Sequence, residues 1–328
     1  MKIVITGVAG LLGSRLAAYI LDNVEGNIDL IGIDNLSGGY VENVPKRVRF
    51  FDMDAGLPTL KFLTKGADYV FCFHAYAAEG LSPFMRTYNY KTNLVTTANV
   101  INACIESDVK RLVFTSSMSV YGDGHSPFDE KDARMPIDPY GVSKMACEMD
   151  LEIAGKQHGL NYTIIRPHNN IGRGQNIWDK YRNVLGIFLY QRLNGMPLTI
   201  YGDGTQVRAF SPIDDCLPCL WKSAILPTTN REIINLGGWR PMSINALADM
   251  VIEVTGGGEK VYLEARHEVH EAYPTFQKSV DLLNYDMKMG IKECIEDMWA
   301  WAQQQPRRER KEWPVYELDK GIYSYWKK

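Results

Sequence analysis

The opening stretch constrains this chain most. A β-branched run, residues 2–6, leads into Gly7, Gly10 and Gly13 and then into the helical residues 11–21. Glycine at these points permits a tight turn, close backbone approach to a pyrophosphate and close packing of helix on strand, with the helix N-terminus facing the phosphates. Glycine trios are common in ordinary turns, and the place of this one between a strand and a helix is what makes it specific. Asp34 ends the next β-branched run, where a carboxylate can accept hydrogen bonds from ribose hydroxyls and would repel a 2′-phosphate. Asn35 and Leu36 follow where an arginine would favour NADP, so NAD is the expected dinucleotide. A plain strand-end turn is the alternative reading of Asp34. Asp52, after residues 48–51, is a further candidate for the adenine amino group or else a surface aspartate.

Apolar runs at 2–6, 30–34, 69–74, 111–116 and 162–166 alternate with amphipathic stretches, the pattern of buried parallel strands in a doubly wound α/β sheet. After Arg166 the regularity fades into glycine-rich segments such as 172–175 and 202–204, which predicts a smaller substrate-facing lobe. A strand and helix within 209–225 suggest that the chain returns to its first domain. The predicted division is a cofactor domain over 1–166, rejoined at about 207–240, and a lobe built from 167–206 and 241–328. Ile291, Ile295, Met298 and Ala302 fall at helical spacing, and the mixed-charge run 306–313 is expected to be solvated surface.

With 328 residues and 45% apolar content the chain can bury at least one large core. Its net charge of -3 supplies no global basic field, so neither nucleic acid nor an acidic membrane is an expected partner, and an anionic ligand needs local groups. Six scattered cysteines do not resemble a disulfide framework, and no apolar run approaches the ~18 residues of a membrane span. A soluble, unexported, cytoplasmic protein is expected.

Tyr140 and Lys144 form a Tyr-x-x-x-Lys pair whose spacing puts both side chains on one helical face. An ammonium beside the phenol, together with a positively charged nicotinamide, would favour phenolate and let Tyr140 take a proton from a hydroxyl. Such a pair also arises as a half-buried tyrosine beside a solvated lysine. Thr115-Ser116-Ser117 at the end of the preceding strand changes the weighing, because open α/β sheets bind ligands at the carboxyl ends of their strands.

The segments TGVAGLLG, DNLSGG, TSSMSVYG, YGVSK, RPHNNIG and GDGTQVRAFSPIDD, in this order, resemble the sugar-nucleotide epimerase/dehydratase branch of the extended short-chain dehydrogenases, over residues 1–290. The resemblance implies a Rossmann doubly wound parallel sheet with a smaller C-terminal α/β substrate-binding lobe, NAD as cofactor, and a nucleotide sugar as substrate. It makes Tyr140 the general base and acid, Ser117 its hydrogen-bonding partner, and Lys144 the group that holds the nicotinamide ribose. The cofactor set it implies comprises Gly7, Gly10, Leu11, Leu12, Gly13, Asp34, Asn35, Asp52, Met53, Ala75, Ala77, Ala78, Asn93, Thr115, Tyr140, Lys144 and Pro167. Asn169 matches a residue that contacts substrate near its diphosphate, and Arg208 and Arg266 match two phosphate clamps, a task suited to the guanidinium fork. The family often reads Arg-x-Gly-Asp at the second clamp, whereas this chain has Arg266-His267-Glu268-Val269. Residues 74–80 match the loop along the nicotinamide, in which Glu79 has no common counterpart.

Relatives of this kind perform 4-epimerisation, 4,6-dehydration or hexuronate decarboxylation, the last two with an added carboxylate just after the serine/threonine triplet. Met118 and Ser119 occupy those places here, so the expectation is 4-epimerisation of a UDP-hexose such as UDP-glucose or UDP-galactose. A UDP-glucuronate 4-epimerase, a dehydratase or reductase, and a non-catalytic NAD-binding regulator are the alternatives. Tyr273, seven places beyond Arg266, is expected to face the sugar C2 substituent and crowd an N-acetyl group. A homodimer is expected, with residues 94–107 and 142–154 as its helical bundle. No metal is expected: Cys216 and Cys219 lack partner ligands, as do His267 and His270, and Trp299 and Trp301 are expected to pack.

Overall fold

The computed structural model describes residues 1–313 and 315–327. Strand β1 (Lys2–Thr6), helix α1 (Leu11–Asn23), β2 (Asp29–Asp34) and β3 (Arg49–Asp52) open the chain. There follow α2 (Leu60–Thr64), β4 (Tyr69–Cys72), α3 (Arg86–Tyr90), α4 (Thr96–Glu106), β5 (Arg111–Thr115), α5 (Pro139–His158) and β6 (Tyr162–Pro167). The second half contains β7 (Asn170–Ile171), α6 (Val184–Leu193), β8 (Leu198–Tyr201), β9 (Val207–Ala209), β10 (Ser211–Pro212), α7 (Ile213–Ile225) and β11 (Ile233–Leu236). It ends with β12 (Pro241–Ser243), α8 (Ile244–Thr255), β13 (Lys260–Leu263), β14 (Glu271–Ala272), α9 (Gln277–Leu283) and α10 (Ile291–Gln303).

Seven strands form one parallel sheet in the order β11-β6-β5-β4-β1-β2-β3. Successive side chains of a strand point to opposite faces. Ile3 and Ile5 therefore join Leu16, Ala17 and Ile20 of α1 and Leu217 and Leu220 of α7 on one face. Val4 meets Val100 and Cys104 of α4 and Cys147 and Leu151 of α5 on the other. Each buried aliphatic side chain of this kind contributes about 1.5–3 kcal/mol, so both helical layers are firmly held. The strand order reverses between β1 and β4, and a crevice opens there at the carboxyl ends of the strands.

β4 ends at Cys72 and not at His74, because after Phe73 donates to Thr6 the chain leaves the sheet to cross the crevice. The segment at 209–225 resolves into β10, which pairs with β7, and α7, which packs against the sheet. A second layered unit packs α6, α8 and α10 with β8 around Phe188, Leu247, Ile295 and Met298.

The run 306–313 lies at the surface as expected, with none of its residues buried, but three of its cations are held against the protein. The Arg308 guanidinium lies 3.9 Å from the Tyr40 ring centre, Arg310 lies 4.8 Å from that of Tyr190, and Lys311 donates to the Ser37 carbonyl. The charged side chains cover aromatic faces with their guanidinium planes and stems, which a hydropathy reading scores as solvent-facing. Cys216 and Cys219 are buried, unpaired packing residues of α7. Trp299 and Trp301 lie partly buried against the apolar clusters of the second unit. Among the described residues, no helix is long and apolar enough to cross a membrane.

Candidate active site

At the end of β1 the chain turns through Gly7, whose φ of +74° and close approach to His74, where a Cβ would stand 2.7 Å from the backbone nitrogen, both demand glycine. A Cβ on Gly13 would lie 2.2 Å from the Gly7 carbonyl oxygen, so α1 can pack this closely only without it. Gly10 caps α1 in an extended conformation without a side-chain hydrogen bond, leaving the first-turn N–H groups directed at the crevice. The Asp34 carboxylate accepts from Ala9 N at 3.0 Å and from Leu36 N at 2.8 Å. Burial, the largest influence, raises its pKa above the ordinary aspartate value.

These residues line an elongated cavity with Leu11, Leu12, Asn35, Met53, Ala75, Ala77, Thr115, Tyr140, Lys144 and Pro167. The glycine turn, the open helix N-terminus and the carboxylate at the far strand end fit a dinucleotide. Three expected members lie elsewhere. Asp52 stands outside the cavity at the exposed end of β3, and its neighbours Met53 and Asp54 line the wall instead. Ala78 packs away from the cavity with Leu81 and Phe84, since Ala77 takes the facing position. Asn93 is wholly buried and spends its amide on Tyr76 N at 2.8 Å, the Tyr76 carbonyl at 3.2 Å and Asn89 Oδ1 at 2.8 Å, a scaffold for the crossing loop.

Tyr140 stands in the first turn of α5, capped by Asp138, which accepts from Gly141 N at 2.9 Å. Pro139 at the first helical position suits this start, because its missing N–H has no helical partner to lose. Lys144 Nζ donates to the Thr115 carbonyl at 2.8 Å and lies 5.9 Å from the Tyr140 ring centre. Ser117 Oγ accepts from Ser119 N at 3.1 Å and donates to Ser119 Oγ at 3.0 Å. Burial first, and then the charge of Glu79, push the Tyr140 phenol above its ordinary pKa, while Ser117 pulls the other way. Protein groups alone therefore keep Tyr140 protonated at neutral pH, and the lowering expected from the sequence includes the positive charge of a bound nicotinamide. Burial likewise lowers the Lys144 pKa, and pushes Asp138 up to about 7 with the help of Glu79.

A second cavity meets the first at Tyr140 and runs past Ser117, Asn169, Arg208 and Arg266. Asn169, at φ +41°, donates to the Ala209 carbonyl at 2.9 Å. Arg208 already donates to the carbonyls of Val207 (2.8 Å), Val269 (2.7 Å) and His270 (3.1 Å) and to Glu268 (3.1 Å). Arg266 pairs with the same Glu268 at 3.3 Å, stacks 4.3 Å from the Tyr201 ring centre, and keeps a buried Nε without a partner. Of the two arginines, Arg266 alone keeps a buried side-chain donor without a protein partner among the described residues. Tyr273 does not line this cavity. β14 pairs Ala272 with Arg208, which turns Ala272 to the cavity and the next side chain away.

Sequence reasoning missed Arg182, which lines both cavities and whose guanidinium sits so close to Gly38 that a Cβ there would be 2.1 Å from Nη2. Nothing in the local spacing around Arg182 marks it. It also missed Glu268, although the departure from the expected Arg-x-Gly-Asp pattern pointed at that position.

The profile of the NAD dependent epimerase/dehydratase family matches residues 3–237. The chain is 29% identical over 310 residues to a putative UDP-glucose 4-epimerase of Methanocaldococcus jannaschii, covering 90% of this chain and 98% of that protein. Its fold matches the crystal structure of UDP-glucose 4-epimerase with UDP-glucose from Thermotoga maritima at a TM-score of 0.85 and 28% identity, over 92% and 98% of the two chains. UDP-glucuronic acid 4-epimerase from Bacillus cereus, solved with UDP-glucuronic acid and NAD, matches at 0.85 and 26% identity over 93% and 99%. The chain belongs to the NAD-dependent epimerase/dehydratase family and is an enzyme that uses NAD.

Proposed function

We propose that this enzyme interconverts the C4 epimers of a UDP-hexose, with UDP-glucose and UDP-galactose as the pair. The observation that carries the reading is the position of Tyr140 and Ser116 where the two cavities join, with Ser117 beside them; Met118 and Ser119 follow in the chain where dehydratases and decarboxylases carry a carboxylate, and the carboxylate bonded to Ser119 is that of Glu79 on the crossing segment. Bound NAD supplies the hydride acceptor and donor for C4. Tyr140 takes the proton of the sugar O4 hydroxyl and returns it, the role for which a buried phenol facing both cavities is placed. Ser117 bridges that phenol and the sugar oxygen. Lys144, held by the Thr115 carbonyl, places positive charge behind the phenol and favours its ionisation during the transfer. Arg266, which lines the second cavity, binds the diphosphate, and Arg208 keeps the loop at 268–270 in place beside it.

The relation to a UDP-glucuronic acid 4-epimerase supports a hexuronate as the second reading. Incubating the purified protein with UDP-glucose, UDP-galactose and UDP-glucuronate without added cofactor, and separating the sugars, tests both. Appearance of the C4 epimer of a neutral sugar is the expected result, and no epimer from any of them defeats the reading. A homodimer belongs to the same proposal. Val95, beside α4, and Met149 and Ile153 on α5 are exposed apolar side chains on the two helical stretches expected to pair. Sedimentation at twice the monomer mass is the expected outcome.

A further inference from the structure

Glu79 opens the short 3-10 turn Glu79–Phe84, in the segment that crosses the crevice after β4, and its side chain enters the second cavity. Ser119 Oγ donates to Glu79 Oε1 and is itself the acceptor for Ser117 Oγ at 3.0 Å. The hydroxyl protons of both serines therefore point toward the carboxylate. Ser117 Oγ also accepts from Ser119 N at 3.1 Å and keeps one lone pair for a donor from the phenol or the sugar, so this end of the cavity accepts hydroxyl protons.

The charges around it reinforce that polarity. Glu79 and Asp138 stand on the Tyr140 side, and both act on the phenol. Of the facing cations, Lys144 is engaged with the Thr115 carbonyl, Arg182 with Asp179 at 3.1 Å and Arg208 with Glu268, while Arg266 shares Glu268 and also feels the charge of Glu79. His74 is held neutral at neutral pH, its pKa pushed down to about 3 by burial and then by Lys144.

We propose that Glu79 is a specificity-determining residue of this site. Its carboxylate, anchored to Ser119 through one oxygen, accepts a hydroxyl of the sugar through the other and makes the site take a neutral hexose over a hexuronate. A sugar carboxylate brought beside Glu79 meets a like charge, while a hydroxymethyl group meets an acceptor. The inference rests on the epimerase reading above and decides between its two sugars.

The test uses holoenzyme, wild type and Glu79→Gln, with UDP-glucose and UDP-glucuronate. Removing the charge is expected to raise the kcat/KM ratio of glucuronate to glucose about ten-fold, the equivalent of about 1.4 kcal/mol. Glu79→Asp, which keeps the charge, is expected to retain the wild-type preference. Glu79→Gln is also expected to move the alkaline rise of kcat to lower pH, because a negative charge removed from beside a phenol lowers its pKa. A structural role alone would not move that profile. An unchanged sugar ratio or an unshifted profile overturns the proposal. The Kd ratio for the two sugars, measured by calorimetry with and without Glu79→Gln on a Tyr140→Phe background, needs no turnover. A wild type that epimerises neither sugar therefore defeats the epimerase reading, whereas a Kd ratio unaltered by Glu79→Gln defeats the role of Glu79.

Discussion

Lys144 donates a 2.8 Å hydrogen bond to the carbonyl of Thr115, which fastens helix α5 to the carboxyl end of β5. Tyr140 lies one turn earlier on the same helical face, so this bond also sets where the phenol meets the crevice. An ammonium buried to 1% exposure costs stability unless its donors are engaged, and here one of them fixes geometry.

Tyr140→Phe removes the transferable proton and leaves the ring packing intact. Turnover is expected to fall by at least ~100-fold, the usual size of a general acid/base contribution, with NAD still bound. Near-normal turnover in a steady-state assay would refute the assignment.

Asp34 accepts hydrogen bonds from Ala9 N and Leu36 N inside the cofactor cavity. A 2′-phosphate placed against it adds like-charge repulsion, so calorimetry is expected to show NADP binding more weakly than NAD. Equal affinity would remove Asp34 from the ribose site.

Arg208 and Arg266 share Glu268 but differ in what else they hold. Arg266→Ala is expected to weaken UDP-sugar binding at least ten-fold with little change in Tm or NAD affinity. Arg208→Ala, which also releases three backbone carbonyls, is expected to lower Tm as well. Thermal melts and titrations on both variants separate a clamp from a brace.

Asp138 has its carboxyl pushed up to about 7 by burial and then by Glu79, above the ordinary aspartate range. The protonated form is the one the fold favours, so its contribution to stability is complete below pH ~4 and is lost as the pH rises through about 7. Asp138→Asn keeps a good N-cap without the charge. The variant is expected to show a flatter stability profile between pH 5 and 8 and a gain of about 1–2 kcal/mol at pH 8 in urea denaturation. An unchanged slope would mean that Asp138 titrates normally.

The local signals in the sequence determined the strand–glycine–helix opening, Asp34 at the end of β2, and the Tyr140–Lys144 pair on one helical face. Each depends on residues close in the chain, where the period of a helix or strand dictates direction. Tertiary structure alone decided the rest. Ser119 meets Glu79 across 40 residues, Arg208 meets Glu268 across 60, and Lys311 reaches Ser37 across 274, and no local periodicity records such meetings. The choice between Ala272 and Tyr273 turned on the pairing of β14 with β9, since a strand moved by one residue exchanges its faces. Asn93, chosen for the cofactor, became a brace because its amide found the backbone of Tyr76 on the crossing loop. Spacing along the chain set which chemistry was available; register and long-range packing set which side chains face the site.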